Sequence, residues 1–90
     1  MQMTIHANTR MQQRAIHPLI IDLLYRYGRE QHQNGSTMIF FDKRARERAL
    51  QALEDVKKRF DKLSDAYLVE ADGDGTVITV GHRLKRIKTS

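Results

Sequence analysis

The chain has 90 residues, and a domain of that size removes only about 60–65% of its unfolded surface from water, so its core must be small. It contains no cysteine, which excludes disulfide frameworks, thiolate metal sites and thiol nucleophiles and makes a reducing cytoplasm its expected home. Sixteen Lys and Arg against eleven Asp and Glu leave a formal net charge of +5, which points to a polyanionic partner.

Thr4 is a suitable N-cap for a helix running to about Ile16, although Thr9 and Gln12 also match a capping box and allow a later start. His17-Pro18 interrupts it, because the residue before proline avoids helical backbone while proline suits the first position of a new helix. A second helix is expected from Pro18, with Leu19, Ile20, Leu23, Leu24 and Tyr27 at helical spacing and Gly28 as a left-handed terminator. Asn34-Gly35 then signals a turn. The run Thr37 to Phe41 is apolar and rich in strand formers, as expected for a strand covered on both faces or closed over by a helix.

Asp42 is placed to cap a long helix from about Lys43 to Leu63, in which Ala45, Ala49, Ala52, Leu53, Val56, Phe60 and Leu63 form one apolar stripe. Two further strands, Ala66 to Ala71 and Thr76 to Val80, flank Asp72-Gly73-Asp74-Gly75, which reads as an antiparallel hairpin loop. As a calcium loop it lacks the later oxygen ligands and closing glutamate. The expected architecture is therefore α+β in the order ααβαββ: one basic domain over residues 1–90, a small antiparallel sheet with helices packed on it, and a basic C-terminal segment over 81–90. The apolar runs are far shorter than the roughly 18 residues needed to span a bilayer, and no apolar leader follows Met1, so no membrane association is expected.

The charge is segregated along the chain. Asp65, Glu70, Asp72 and Asp74 occupy residues 65–80 with no base among them, whereas residues 81–90 carry Arg83, Lys85, Arg86 and Lys88 with no acid. Such segregation raises the local potential that steers phosphate backbones. Two constellations follow. His6, Arg10 and Arg14 stand four residues apart and share a face if the first helix starts at Thr4. His82, Arg83, Lys85, Arg86 and Lys88 follow the last strand, with Leu84 and Ile87 available to pin the segment to the body. A solvated cationic face, or an arginine tying down loop carbonyls, accounts for either group equally well. The four histidines show no metal-ligand spacing, and neither a metal nor another cofactor is expected.

The pattern His6-Ala7, Arg10, Arg14-Ala15-Ile16, followed by an apolar helix ending at Tyr27-Gly28, resembles small plasmid- and phage-borne domains of unknown function related to the BrnT toxins. Val77-Ile78-Thr79-Val80-x-His82-Arg83 with Arg86-Ile87 resembles the end of the same group, so the likeness spans most of the chain. One departure is Ala15, where glycine is expected before the isoleucine of the interhelical turn. The resemblance implies a fold similar to the RelE-like ribonuclease toxins, which present basic side chains to RNA and cleave it without metal. On that implication His82 or His6 moves protons, while Arg10, Arg14, Arg83, Lys85, Arg86 and Lys88 hold phosphates, since guanidinium forks bind two phosphate oxygens at once.

Three readings stay open at this point. The chain is a domain directed at nucleic acid, RNA before DNA, with a toxin-type endoribonuclease activity and a cognate antitoxin. Alternatively it is a non-catalytic nucleic-acid-binding or regulatory module. In the third reading it is an accessory inhibitor that docks onto a target protein, for which Tyr25, Tyr27, Met38, Phe40 and Phe41 are the candidate patch, although core packing also explains them. Three Tyr, three Phe and no Trp are few for an extended single-strand stacking platform.

Overall fold

The computed structural model describes residues 2–84. Its elements run α1 (Ile5–Gln13), α2 (Pro18–Tyr27), β1 (Arg29–Gln33), β2 (Ser36–Phe40), α3 (Lys43–Leu63), β3 (Ala66–Glu70) and β4 (Val77–His82). The protein is a small α+β fold, with the order ααββαββ in place of the expected ααβαββ. The chain divides into two compact units, Met1–Ala52 and Leu53–Ser90, and each carries one two-stranded antiparallel sheet.

In the first unit the Thr4 hydroxyl accepts a hydrogen bond from the Ala7 amide at 3.0 Å, which fixes the start of α1 and removes the later start at Thr9. The end of α1 is a Schellman turn: the Ala15 amide donates to Gln12 O at 3.2 Å and the Ile16 amide to Met11 O at 3.0 Å. Ala15 occupies its left-handed position with φ 52°, which explains why glycine is expected there. His17 then caps α2, its Nδ1 accepting from the Leu19 amide at 3.0 Å, so this histidine has a structural task.

Gly28 does not terminate α2 in the left-handed region. Its backbone is extended, with φ −63° and ψ 153°. Glycine is needed instead because a Cβ there would stand 2.5 Å from Leu24 O and 2.7 Å from Ile39 Cγ2. That close approach is where β2 meets α2, and it covers only Ile39 and Phe40 in part, leaving Ser36, Thr37 and Met38 exposed. Of the two expected coverings, on both faces or by a helix, the strand shows closure by a helix, and only at its Ile39–Phe40 end.

The unforeseen strand is β1. Arg29-Glu30-Gln31-His32-Gln33 contains no apolar residue, so hydrophobic periodicity gives it no signal. It forms because Asn34 (φ 32°) and Gly35 (φ 80°) make a tight two-residue turn that pairs Gln33 with Ser36 and the strands back to Arg29 opposite Phe40. The strand read as part of a single sheet is thereby satisfied locally, and the hairpin after α3 forms a separate sheet.

Asp42 caps α3 as expected. Its Oδ1 accepts from the Ala45 amide at 2.8 Å, and Arg29 reaches its Oδ2 at 3.5 Å. The Ala45 hydrogen bond outweighs the desolvation that opposes it and, with smaller help from Arg29, holds the Asp42 carboxyl below its ordinary pKa. Among the described residues the buried core consists of Leu23, Ala45 and Ala49, all in the first unit. Burying Leu23 contributes about 1.5–3 kcal/mol. The stripe expected along α3 is thus buried at its two N-terminal alanines, while Leu53, Val56 and Phe60 stay substantially exposed.

In the second unit β3 and β4 pair from Ala66 opposite His82 to Glu70 opposite Val77, with an irregularity between Val69 and Glu70. The Gly/Asp loop closes them as expected. Within it Asp74 Oδ1 accepts from the Thr76 amide at 3.0 Å, which lowers the Asp74 pKa. The last strand runs past Val80 to include Gly81 and His82. Gly81 is tolerated there because the Tyr67 ring lies across it, 3.1–3.3 Å from where a Cβ would sit. No helix among the described residues is long and apolar enough to cross a membrane.

Candidate functional site

The first constellation forms as its spacing requires. His6 and Arg10 lie on α1 and Arg14 is its C-cap, all three exposed. The row runs beside the half-buried Met3, Ala7 and Met11, so the inward face of α1 fixes which way the cations point. No acidic partner of His6, Arg10 or Arg14 occurs within ion-pair distance among the described residues. A helix face without counter-charge is open to phosphate, but nothing within the row orients the His6 ring.

The second constellation is more structured. His82 is in β4 itself, not beyond it, and its Nδ1 lies 2.6 Å from Asp65 Oδ1, a residue 17 positions earlier that follows α3. An ionised carboxylate only accepts, so the neutral imidazole carries its proton on Nδ1 and keeps a lone pair on Nε2. Both side chains are partly exposed, at 57% and 44%, so Nε2 is within reach of a macromolecule. Asp65 also anchors the next residue: its carbonyl accepts from the Arg83 amide at 3.0 Å and from Arg83 Nε at 3.3 Å. With Nε engaged, the terminal nitrogens of Arg83 are the part left for an anion.

Beside the pair is an open groove of about 660 Å³ along the hairpin, lined by Leu63, Ala66, Tyr67, Leu68, Val80, Gly81 and His82. Apart from His82 the lining is apolar, and Arg83 does not line it. A base or a ribose fits such a wall better than a phosphate does. Lys85, Arg86 and Lys88, expected as phosphate contacts, lie outside the described residues. Among the described residues no group of three or more His, Asp or Glu side chains could hold a metal ion.

Sequence reasoning named His82 and Arg83 as candidates but not Asp65, which the structure sets against both. No spacing rule links residues 65 and 82, because only the hairpin register brings them together. The first turn of α3 carries Lys43, Arg44 and Arg46 and no acid of its own, so the Asp42 carboxylate at the N-cap is what meets the positive end of the helix dipole. Those cations lose a little helix stability and add to the positive potential of the first unit.

The fold and the site together define a small basic α+β protein with an oriented, accessible histidine. Comparison of the chain with protein-family models, with curated proteins and with solved structures returns no match.

Proposed function

We propose that this protein is an RNA-directed basic domain of the RelE/BrnT-like toxin type, with His82 as the proton-transfer residue of a metal-independent endoribonuclease. The observation that carries the reading is the 2.6 Å His82–Asp65 pair, which leaves Nε2 free to accept a proton. In the step proposed, the RNA 2′-hydroxyl loses its proton to Nε2 and its oxygen bonds to the adjacent phosphorus. The bond from phosphorus to the 5′ oxygen breaks, and the imidazolium returns the proton to that leaving oxygen, giving a 2′,3′-cyclic phosphate and a 5′-hydroxyl. The terminal nitrogens of Arg83 stabilise the charge on the phosphoryl oxygens. Lys85, Arg86 and Lys88, which follow Arg83 in sequence, hold the rest of the strand electrostatically, Arg10 and Arg14 offer phosphate a separate face, and a cognate antitoxin is the protein partner this class implies. The left-handed backbone at Ala15, the position of an expected glycine, supports the family resemblance. The two separate hairpins depart from its single sheet.

A second reading is favoured by one specific observation. The Arg83 side chain is partly spent on Asp65 O, so a purely binding role for the basic surface asks less of it than catalysis does. Two measurements separate the readings. RNA affinity is expected to fall steeply with salt, and neutralising Arg83, Lys85, Arg86 and Lys88 together to flatten that dependence. Cleavage in the presence of a chelator is expected to vanish in His82→Ala with RNA affinity kept within a few-fold. Binding without cleavage by the natural sequence assigns the non-catalytic module; loss of both assigns protein docking.

A further inference from the structure

We infer that a second copy of this chain pairs with the outer edge of β4, joining two β3–β4 hairpins into one four-stranded antiparallel sheet about a two-fold axis at Thr79. The hairpin has only two strands, and no described residue of its unit is buried. A two-stranded ribbon with no apolar face covered is marginal in water, and a third and fourth strand are the ordinary remedy. Natural edge strands are guarded by charge or proline. The run Val77–Gly81 has neither, and Ile78 and Val80 within it are 65% and 69% exposed.

Three features select a second copy as the occupant. An antiparallel strand pair about a two-fold axis normal to the sheet requires one residue to face itself. With Thr79 in that position, Ile78 faces Val80 of the other copy and Val80 faces its Ile78, so the two most exposed apolar side chains of the strand cover each other twice. No charge opposes a like charge anywhere along Val77–Gly81. The flanks are complementary as well: the acidic loop with Asp72 and Asp74 precedes the strand and Arg83 follows it, so antiparallel pairing brings the acidic end of each copy alongside the basic end of the other.

The absence of cysteine makes the test direct. Residues facing each other across an antiparallel pair have Cα atoms about 4.5–5.5 Å apart, inside the roughly 4.4–6.8 Å range of disulfides. Thr79→Cys is expected to form a covalent dimer on mild oxidation. Val77→Cys is expected not to, because the register separates the two copies of that position by about 13 Å along the strand. By sedimentation the unmodified protein is expected to be dimeric at micromolar concentration and Ile78→Lys monomeric. Adding Val80→Glu to Ile78→Lys is expected to restore a salt-sensitive dimer, because lysine and glutamate then face each other across the axis. Equal cross-linking at positions 77 and 79, or a dimer indifferent to Ile78→Lys, overturns the inference. So does a monomeric natural sequence, and failure of Ile78→Lys to fold leaves the cysteine pair to decide.

Discussion

Asp65 holds the end of β4 at two points: its carboxylate meets His82 Nδ1 at 2.6 Å, and its carbonyl receives the Arg83 amide at 3.0 Å. The backbone contact survives any substitution of the side chain, so the two functions can be separated. Asp65→Asn keeps the strand end but no longer enforces the Nδ1–H tautomer, and it removes a negative charge beside the proposed RNA site. RNA cleavage is expected to fall by about 10-fold or more, as for loss of an acid–base positioning group, while RNA affinity stays equal or rises. Parallel loss of affinity and cleavage is the result that contradicts the assignment.

Gly28→Ala tests the junction of α2 with β2. The extended backbone at Gly28 suits any residue, so the whole cost is steric, against Leu24 O and Ile39 Cγ2. The backbone oxygen cannot rotate away, and a loss of about 1–3 kcal/mol is expected in urea unfolding, the usual cost of overpacking. An unchanged midpoint means that the helix and hairpin do not meet as described.

Ala15→Gly is expected to stabilise. A left-handed alanine costs about 1–2 kcal/mol, and the greater freedom of glycine in the unfolded chain costs about 0.4–1 kcal/mol. Relief of strain therefore wins, by up to about 1.6 kcal/mol in the same unfolding measurement. A destabilised variant contradicts the backbone assignment at Ala15.

Acid sensitivity has an assigned contributor in Asp42. Its carboxyl pKa is lowered in the fold, chiefly by the Ala45 amide and then by Arg29. The stabilisation is therefore complete above the unfolded aspartate value, about 3.9, and is lost as pH falls through the lower folded value. Asp42→Asn keeps the cap hydrogen bond but cannot titrate. Unfolding midpoints followed from neutral to acid pH should show a shallower acid decline in the variant than in the natural sequence; superimposable curves contradict the assignment.

Much of the helical structure was legible in the residues. Pro18 and Gly28 bracket α2, and Asp42 and Leu63 bracket α3, because caps and apolar spacing act locally and leave a signature in sequence. β1 was not legible, since an all-polar strand is specified by its turn and by the partner it faces. The separation into two hairpins was hidden for the same reason: periodicity marks strands but does not say which strands pair. At the site, Thr4 secured the His6–Arg10–Arg14 row, a local matter, whereas the Asp65–His82 contact depends on hairpin register and on β4 running two residues beyond Val80. Nothing in the sequence marks the end of a strand that continues through glycine.

His82 is proposed to cut RNA without metal, and the chemistry of the cut ends tests this most directly. A mixed RNA pool incubated with the natural sequence in chelator, across a broad pH range, is expected to yield fragments ending in 2′,3′-cyclic phosphate and beginning with 5′-hydroxyl. His82→Ala is expected to yield none while still binding the same RNA. Cleavage that persists in His82→Ala, ends of another chemistry, or intact RNA in the presence of full binding by the natural sequence contradicts the claim.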